Sequence, residues 1–299
     1  MRILIIGAGA TGGSFGTLLH EAGRDVTYLV RPRRADALRR NGLRFVSPSG
    51  DRTNRIRSLV AGERAEPFGL VLVTVKAAAL RSAVADASPY LSGDGYVIPI
   101  LNGMAQIDLL EESFPGRVLG GSAKIVAALE GDAVRQMTDL AALTIGSLSG
   151  APVPQRIIDV LDVPGSHLTI SNDIVSTLWE KWAFIVAAGV VTCLFRNAIG
   201  PVIDAGGLPW ILDAVREAEQ VAEDAGHPVS AQAHDQSLAL LTEKRSSFTT
   251  SLYRDLTAGL PTEAEHLLGD FSSRAQTLGT PVPLLELALV QIRASAERA

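Results

Sequence analysis

The sequence predicts an α/β domain with a mostly parallel sheet, followed by an all-helical C-terminal domain. Three observations carry this prediction. Up to about residue 168, short β-branched runs alternate with helical stretches; a glycine motif, Gly7 to Gly12, directly follows the first run; and beyond about residue 170 only long apolar-periodic segments remain. In the first half, Arg2–Ile6, Asp25–Val30, Gly69–Val75, Tyr96–Leu101 and Arg117–Gly120 read as strands separated by helices. Between Lys124 and Leu148 the runs Ile125–Leu129, Val134–Met137 and Leu143–Ile145 have no helix between them, which predicts an antiparallel extension at one edge of the same sheet. In the second half, helices are expected over Asp173–Arg196, Leu208–Ala225, Ala231–Leu241, Thr262–Leu278 and Pro283–Arg298. Ser171-Asn172-Asp173 supplies a start signal for the first, and Gly226, Gly279 and Pro281 supply stops for later ones. The turn-rich Val163-Pro164-Gly165-Ser166 precedes the change of texture, so the expected domains are 1–168 and 169–299.

At 299 residues, folding buries about three quarters of the surface the unfolded chain exposes, enough for a sizeable core. A hydrophobic share of 47% against 20% charged residues excludes disorder, and the single cysteine excludes a disulfide scaffold. The net charge of −5, with basic residues scattered, leaves no footprint for nucleic acid or an anionic membrane surface. Cys193 has no partner for an intrachain disulfide, so a reducing compartment, the cytoplasm, is expected. The apolar run at Met1–Gly9 is short and leads into glycine spacing rather than a cleavage site, and it reads as a buried strand. The uncharged run Trp182–Phe195 is shorter than the roughly 20 residues that span a bilayer, and it reads as a helix buried inside the protein.

Gly7-Ala8-Gly9-Ala10-Thr11-Gly12 is a G-x-G-x-x-G sequence between a strand and a helix, with a second strand at Asp25–Val30. Gly7 allows the tight turn, Gly9 lets backbone approach a pyrophosphate, Gly12 lets helix and strand pack closely, and the helix N-terminus supplies N–H donors to the anion. A glycine-rich turn without ligand is the bland reading; the complete strand–loop–helix–strand unit favours a dinucleotide. The second strand ends Val30-Arg31-Pro32-Arg33-Arg34 without the acid that takes a ribose 2′-hydroxyl. Guanidinium groups suit a 2′-phosphate, so NADP(H) is the expected cofactor and Arg31 the first choice to read it, against the alternative of a solvated basic loop.

The chain has only four lysines, Lys76, Lys124, Lys181 and Lys244, so their positions are informative. Lys76 and Asn102-Gly103 follow predicted parallel strands at their carboxyl ends, the edge where open α/β sheets bind ligands; ordinary loop polarity explains them equally well. Lys181, in Trp179-Glu180-Lys181-Trp182, borders the long apolar helix. Two readings fit it: an ammonium whose pKa is lowered beside a desolvated surface, suited to proton exchange, or a stem lying along the core with its charge in water. His20, His167, His227, His234 and His266 show no metal-ligand spacing, so no metal site is expected. Cys193 reads as a small buried apolar residue, and a helix-surface pair explains the spacing of Glu263 and His266 as well as catalysis does.

With Gly7–Gly12, Thr74-Val75-Lys76-Ala77, Leu101-Asn102-Gly103-Met104 and Lys181 in this order, the chain resembles the ketopantoate reductases (2-dehydropantoate 2-reductases). Thr249-Thr250-Ser251-Leu252-Tyr253-Arg254-Asp255-Leu256 followed by Pro261-Thr262-Glu263 is similar to that family's S-S-M-x-x-D segment and its T-E pair, so the resemblance covers nearly the whole chain. It implies a Rossmann-type NADP-binding domain, a helical substrate and dimerisation domain, and a cleft where NADPH reduces a 2-oxo acid, ketopantoate, to a 2-hydroxy acid in pantothenate biosynthesis. It further implies that Lys181 is the general acid and that Asn102 and Lys76 line cofactor and substrate. It implies that Ser251 binds the substrate carboxylate region and that Glu263 lies near substrate and cofactor. Ala8, Ala10 and Thr11 complete the loop on the cofactor.

The chain departs from the family on the helix of Lys181. The pattern K-x-x-x-N-x-x-x-N-P has Ile185 and Gly189 in place of its two asparagines, and Val190 in place of its proline. Lys124 stands where the family has small or hydroxyl residues. Two alternatives to ketopantoate reduction therefore stay open: a related reductase acting on a more apolar oxo acid, and a non-catalytic NADP(H)-binding sensor. The long apolar helix and the Ala/Leu-rich last helix leave room for a homodimer.

Overall fold

Strand β1 (Arg2–Ile6) sends Ile3 and Ile5 into one hydrophobic core and Leu4 and Ile6 into another, so it is buried on both faces, as a central parallel strand must be. The computed structural model describes residues 1–296. After β1 come α1 (Ala10–Glu21), β2 (Asp25–Leu29), α2 (Pro32–Asn41), β3 (Leu43–Val46), β4 (Arg52–Asn54), β5 (Arg57–Leu59) and β6 (Phe68–Val73). Then follow α3 (Leu80–Ala87), β7 (Leu91–Pro99), α4 (Ala105–Ser113), β8 (Leu119–Glu130), β9 (Ala133–Ser147), α5 (Gln155–Leu161) and β10 (His167–Ile170). The first sheet has the order β5-β2-β1-β6-β7, with every pair parallel. Strand order reverses between β1 and β6, the switch point where such sheets open a crevice beyond their carboxyl ends.

The expected antiparallel extension is instead part of a second sheet, ordered β10-β9-β3-β4, with β8 pairing β9 antiparallel. Among the described residues, its β-pairing with β7 is an isolated bridge, Val97 to Val118. β7 ends at Pro99, which has no N–H for a ladder, and a Cβ on Gly121 would stand 2.6 Å from the Pro99 carbonyl oxygen, so the strand crosses that edge rather than extending it. β9 then takes β3 and β10 as parallel partners. α1 lies between the two sheets: Phe15, Leu18 and Leu19 share a core with Ile3, Ile5 and Tyr28 on one side and with Val134, Leu143 and Ile145 on the other. Side chains at Gly13 and Gly16 would overlap Val134 and Tyr28, so this helix is thinned by glycine on both faces.

From Val175 onward, together with Asn102–Ala105, the chain forms a second compact unit; Met1–Leu101 and Gln106–Ile174 form the first. The second unit is built from α6 (Ile174–Leu194), α7 (Ile199–Asp204), α8 (Leu208–Asp224), α9 (Ala231–Leu241), α10 (Ser251–Thr257), α11 (Asp270–Leu278) and α12 (Pro283–Ala296). α6 is long and apolar enough to cross a membrane by length and composition, and more than half of its apolar stretch is buried inside the protein. The helix predicted over Thr262–Leu278 begins instead as a π turn, Glu265–Gly269, before α11. Glu217 of α8 accepts hydrogen bonds from the Leu284 and Leu285 N–H groups and so caps α12; partial burial raises the pKa of its carboxyl group.

Candidate active site

The glycine loop is shaped by three contacts that hold it open toward one side. Gly7 has φ +98°, a conformation side chains rarely adopt, and its N–H donates to Leu29 O at 3.0 Å. The Thr74 hydroxyl, just past β6, lies 2.8 Å from Ile6 O and 3.1 Å from Gly7 O as donor, fastening the loop at the switch point. A Cβ on Gly12 would overlap both Thr74 Oγ1 and Gly7 O, whereas a Cβ on Gly9 would meet nothing within 4 Å. Gly9 is the N-cap of α1 and makes no side-chain capping bond, so the first N–H groups of the helix are available to an anion. Close packing at Gly12 beside open space at Gly9 is what a pyrophosphate cradle requires, and the residues present fit a dinucleotide. Ala8 is buried, while Ala10 and Thr11 are half-buried at the start of α1.

Arg31, Arg33 and Arg34 separate in the structure. Arg31 is exposed at the N-cap of α2, with its carbonyl accepting from the Arg34 and Ala35 N–H groups. Arg34 is already engaged: its guanidinium donates to Ala8 O at 3.1 Å and pairs with Asp132 at 2.9 Å, tying the glycine loop to the turn between β8 and β9. Lys76 is exposed just beyond β6. The carboxyl ends of β1, β2 and β6 thus carry Gly7, Arg31 and Thr74 to Lys76 along one edge of the parallel sheet. Lys124 is exposed on β8 opposite Ala142.

In the second unit, Lys181 is half-buried on α6, and the neighbouring Trp182 is fully buried. The Trp182 Nε1–H donates to Leu267 O at 3.0 Å, and its ring meets Phe271 edge-on at 4.7 Å, fixing the rotation of the helix that carries Lys181. One residue earlier in the π turn, His266 Nε2 lies 2.9 Å from the carbonyl oxygen of Asn102. A carbonyl only accepts, so this contact places a proton on Nε2. Gly103, at φ +89°, makes the approach possible: a Cβ there would stand 3.4 Å from that nitrogen. The π turn therefore fastens both the segment of Lys181 and the segment of Asn102. Glu263 is half-buried just before the turn, and its carbonyl accepts from the Leu267 N–H at 2.9 Å. Ser251 is exposed as the first residue of α10, whose cap, Thr250, accepts from the Tyr253 N–H. Cys193 is fully buried, and burial pushes its thiol up to about 12, which keeps it out of nucleophilic chemistry.

The sequence named Thr74, Arg34, Trp182 and His266 without assigning them these contacts. Thr74 and Trp182 sat beside motif residues and offered a signal by adjacency. His266 was read only as one of a pair with Glu263, because its partner is a main-chain oxygen 164 residues away.

Compared with known proteins, residues 3–150 match the family model described as ketopantoate reductase PanE/ApbA, and residues 173–296 match its C-terminal model. The chain is 28% identical over 298 residues to an uncharacterized oxidoreductase, YkpB, of Bacillus subtilis, covering 98% of each chain. It is 26% identical over 310 residues to the 2-dehydropantoate 2-reductase of Pyrococcus abyssi, covering 99% of each. Among solved structures, D-mandelate dehydrogenase with NADH and anilino(oxo)acetate superposes with a TM-score of 0.90 at 20% identity, covering 100% of this chain and 99% of that one.

Proposed function

We propose, from the premise that the chain belongs to the ketopantoate reductase family and is a nicotinamide-dependent oxidoreductase, that it uses NADPH to reduce 2-oxo acids, with ketopantoate to pantoate as its reference reaction. The observation that carries the reading is the shared anchoring of Lys181 and Asn102 on residues 266 and 267 of the π turn. Residues 1–168 hold the cofactor in this reading, through Gly7 to Gly12, Arg31 and Lys76; residues 169–299 hold most of the substrate contacts.

The glycine loop would hold the pyrophosphate of NADPH, whose nicotinamide would supply the hydride. Lys181 stabilises the negative charge that builds on the carbonyl oxygen and then gives that oxygen its proton. The Asn102 side chain donates a hydrogen bond that keeps the carbonyl aligned, while Ser251 takes the carboxylate end of the substrate. Glu263, just before the π turn, lies near substrate and cofactor in this reading. NADPH oxidation measured with ketopantoate beside a panel of branched and aromatic 2-oxo acids tests the reading: oxidation that depends on an added acid supports it, and NADPH binding without oxidation by any of them contradicts it.

Arg31→Ala is expected to weaken NADPH binding by about 10- to 100-fold and to leave NADH binding nearly unchanged, the loss of one or two charge-assisted hydrogen bonds to the 2′-phosphate. Arg34→Ala, which releases Ala8 O and Asp132, weakens both cofactors alike. Titrations of each variant with both cofactors check this, and equal losses for Arg31→Ala would remove it from 2′-phosphate recognition.

His266 is a positioning residue for Asn102. His266→Phe keeps a ring of similar size but removes the donor, and is expected to lower kcat about fivefold at unchanged NADPH affinity. Recovery of kcat in His266→Gln, which restores an N–H, distinguishes this from a packing role.

A further inference from the structure

Positions 181, 185, 189 and 192 fall along one face of α6 at one-turn intervals. Beyond Lys181 this face turns apolar. Ile185 is half-buried, and at Gly189 the helix has no side chain; a Cβ there would stand 3.4 Å from Leu268 Cδ2 and 3.6 Å from Leu252 Cδ2. Leucines of the π turn and of α10 thus close on bare helix backbone two turns beyond the lysine. The polar groups farther along are already committed: Thr192 Oγ1 donates to Ala188 O at 2.7 Å and lies 2.9 Å from Thr250 Oγ1, which in turn accepts from the Tyr253 N–H.

We infer that the acid reduced here carries a hydrocarbon side chain free of hydroxyl groups, seated against Ile185, one turn beyond Lys181, with the helix face past it closed at Gly189 by the buried Leu252 and Leu268. The inference rests on Lys181 being the proton donor, since that is what places the side chain of the substrate on this face. Ketopantoate carries a hydroxyl on its side chain. Against Ile185, with no polar side chain on the turn beyond it, that hydroxyl loses its water and gains no partner, whereas a methyl in place of the hydroxymethyl group keeps apolar contact. A wholly apolar wall discriminates between such isosteres by up to about a hundredfold.

The test compares kcat/KM for ketopantoate with that for 3,3-dimethyl-2-oxobutanoate, the same carbon skeleton without the hydroxyl, and for 4-methyl-2-oxopentanoate and phenylglyoxylate, using the full chain and NADPH. The hydroxyl-free skeleton is expected to be preferred over ketopantoate by about 10- to 100-fold. Ile185→Asn, which returns an amide one turn from Lys181, is expected to shift the ratio toward ketopantoate by about tenfold. Ketopantoate preferred or equal in the unaltered protein overturns the inference and leaves the reductase reading standing. Absence of turnover with every acid overturns both. The comparison in the unaltered protein decides the matter even where Ile185→Asn folds poorly.

Discussion

Lys181→Ala is expected to lower kcat by about 10²–10⁴-fold while NADPH affinity stays unchanged, because the lysine acts on the substrate oxygen and not on the nucleotide. Trp182, hydrogen-bonded to Leu267 and packed on Phe271, holds α6 in place without it, so the loss is chemical rather than structural. Lys181→Arg separates charge from proton transfer. Arginine keeps the positive charge, so KM for the oxo acid is retained, but it does not release a proton near neutral pH and kcat stays low. A general acid works in its protonated form, so activity of the unaltered enzyme falls as pH rises through the pKa of that acid; a variant without the lysine lacks this limb. Steady-state kinetics over pH with a cofactor titration checks all three points, and an unaffected kcat in Lys181→Ala removes the residue from the mechanism.

The second large effect is a contrast between two glycines in the same loop. Gly12→Ala places a Cβ on Thr74 Oγ1 and Gly7 O, where neither a backbone oxygen nor the residue that fastens the loop has room to yield. Overpacking of this kind costs about 1–3 kcal/mol, a fall in Tm of roughly 2–12 °C without cofactor. Gly9→Ala points its methyl into open space and is expected to leave that Tm unchanged. It stands where the pyrophosphate must approach the backbone, so NADPH affinity falls by about tenfold or more at full stability. Melting curves with and without NADPH resolve the pair, and normal NADPH binding by Gly9→Ala would place the pyrophosphate elsewhere.

The first unit was legible where its determinants are local. β1, the glycine loop, α1 and β2 follow one another within 29 residues, and spacing alone carries them. The second sheet was not legible, because β3 and β4 are four and three residues long, arginine-bearing, and shaped by pairing rather than by pattern. β3 finds its partner in β9, where Phe45 sits opposite Val134, a pairing no local window contains. In the helical unit, the pattern over Thr262–Leu278 was read as one regular helix, but the π turn inserts a shift that aims His266 at Asn102 and Leu268 at Gly189. Lys181 and Asn102 were visible as residue types at suggestive places; their common anchor was not, since each tie pairs a ring N–H, of Trp182 or of His266, with a main-chain oxygen, of Leu267 or of Asn102. Among the three arginines after β2, the sequence did not show that Arg34 is held by Asp132 and Ala8 while Arg31 is exposed.

The most direct test of the account is the amount of 2-hydroxy acid formed per NADPH consumed, measured by chromatography on reactions with ketopantoate and with 3,3-dimethyl-2-oxobutanoate. The unaltered protein is expected to form one hydroxy acid for each NADPH oxidised, and Lys181→Ala to form it about 10²–10⁴-fold more slowly. NADPH bound tightly with no hydroxy acid formed from any acid supplied would contradict it, and would make the chain a binder of NADP(H) rather than a reductase.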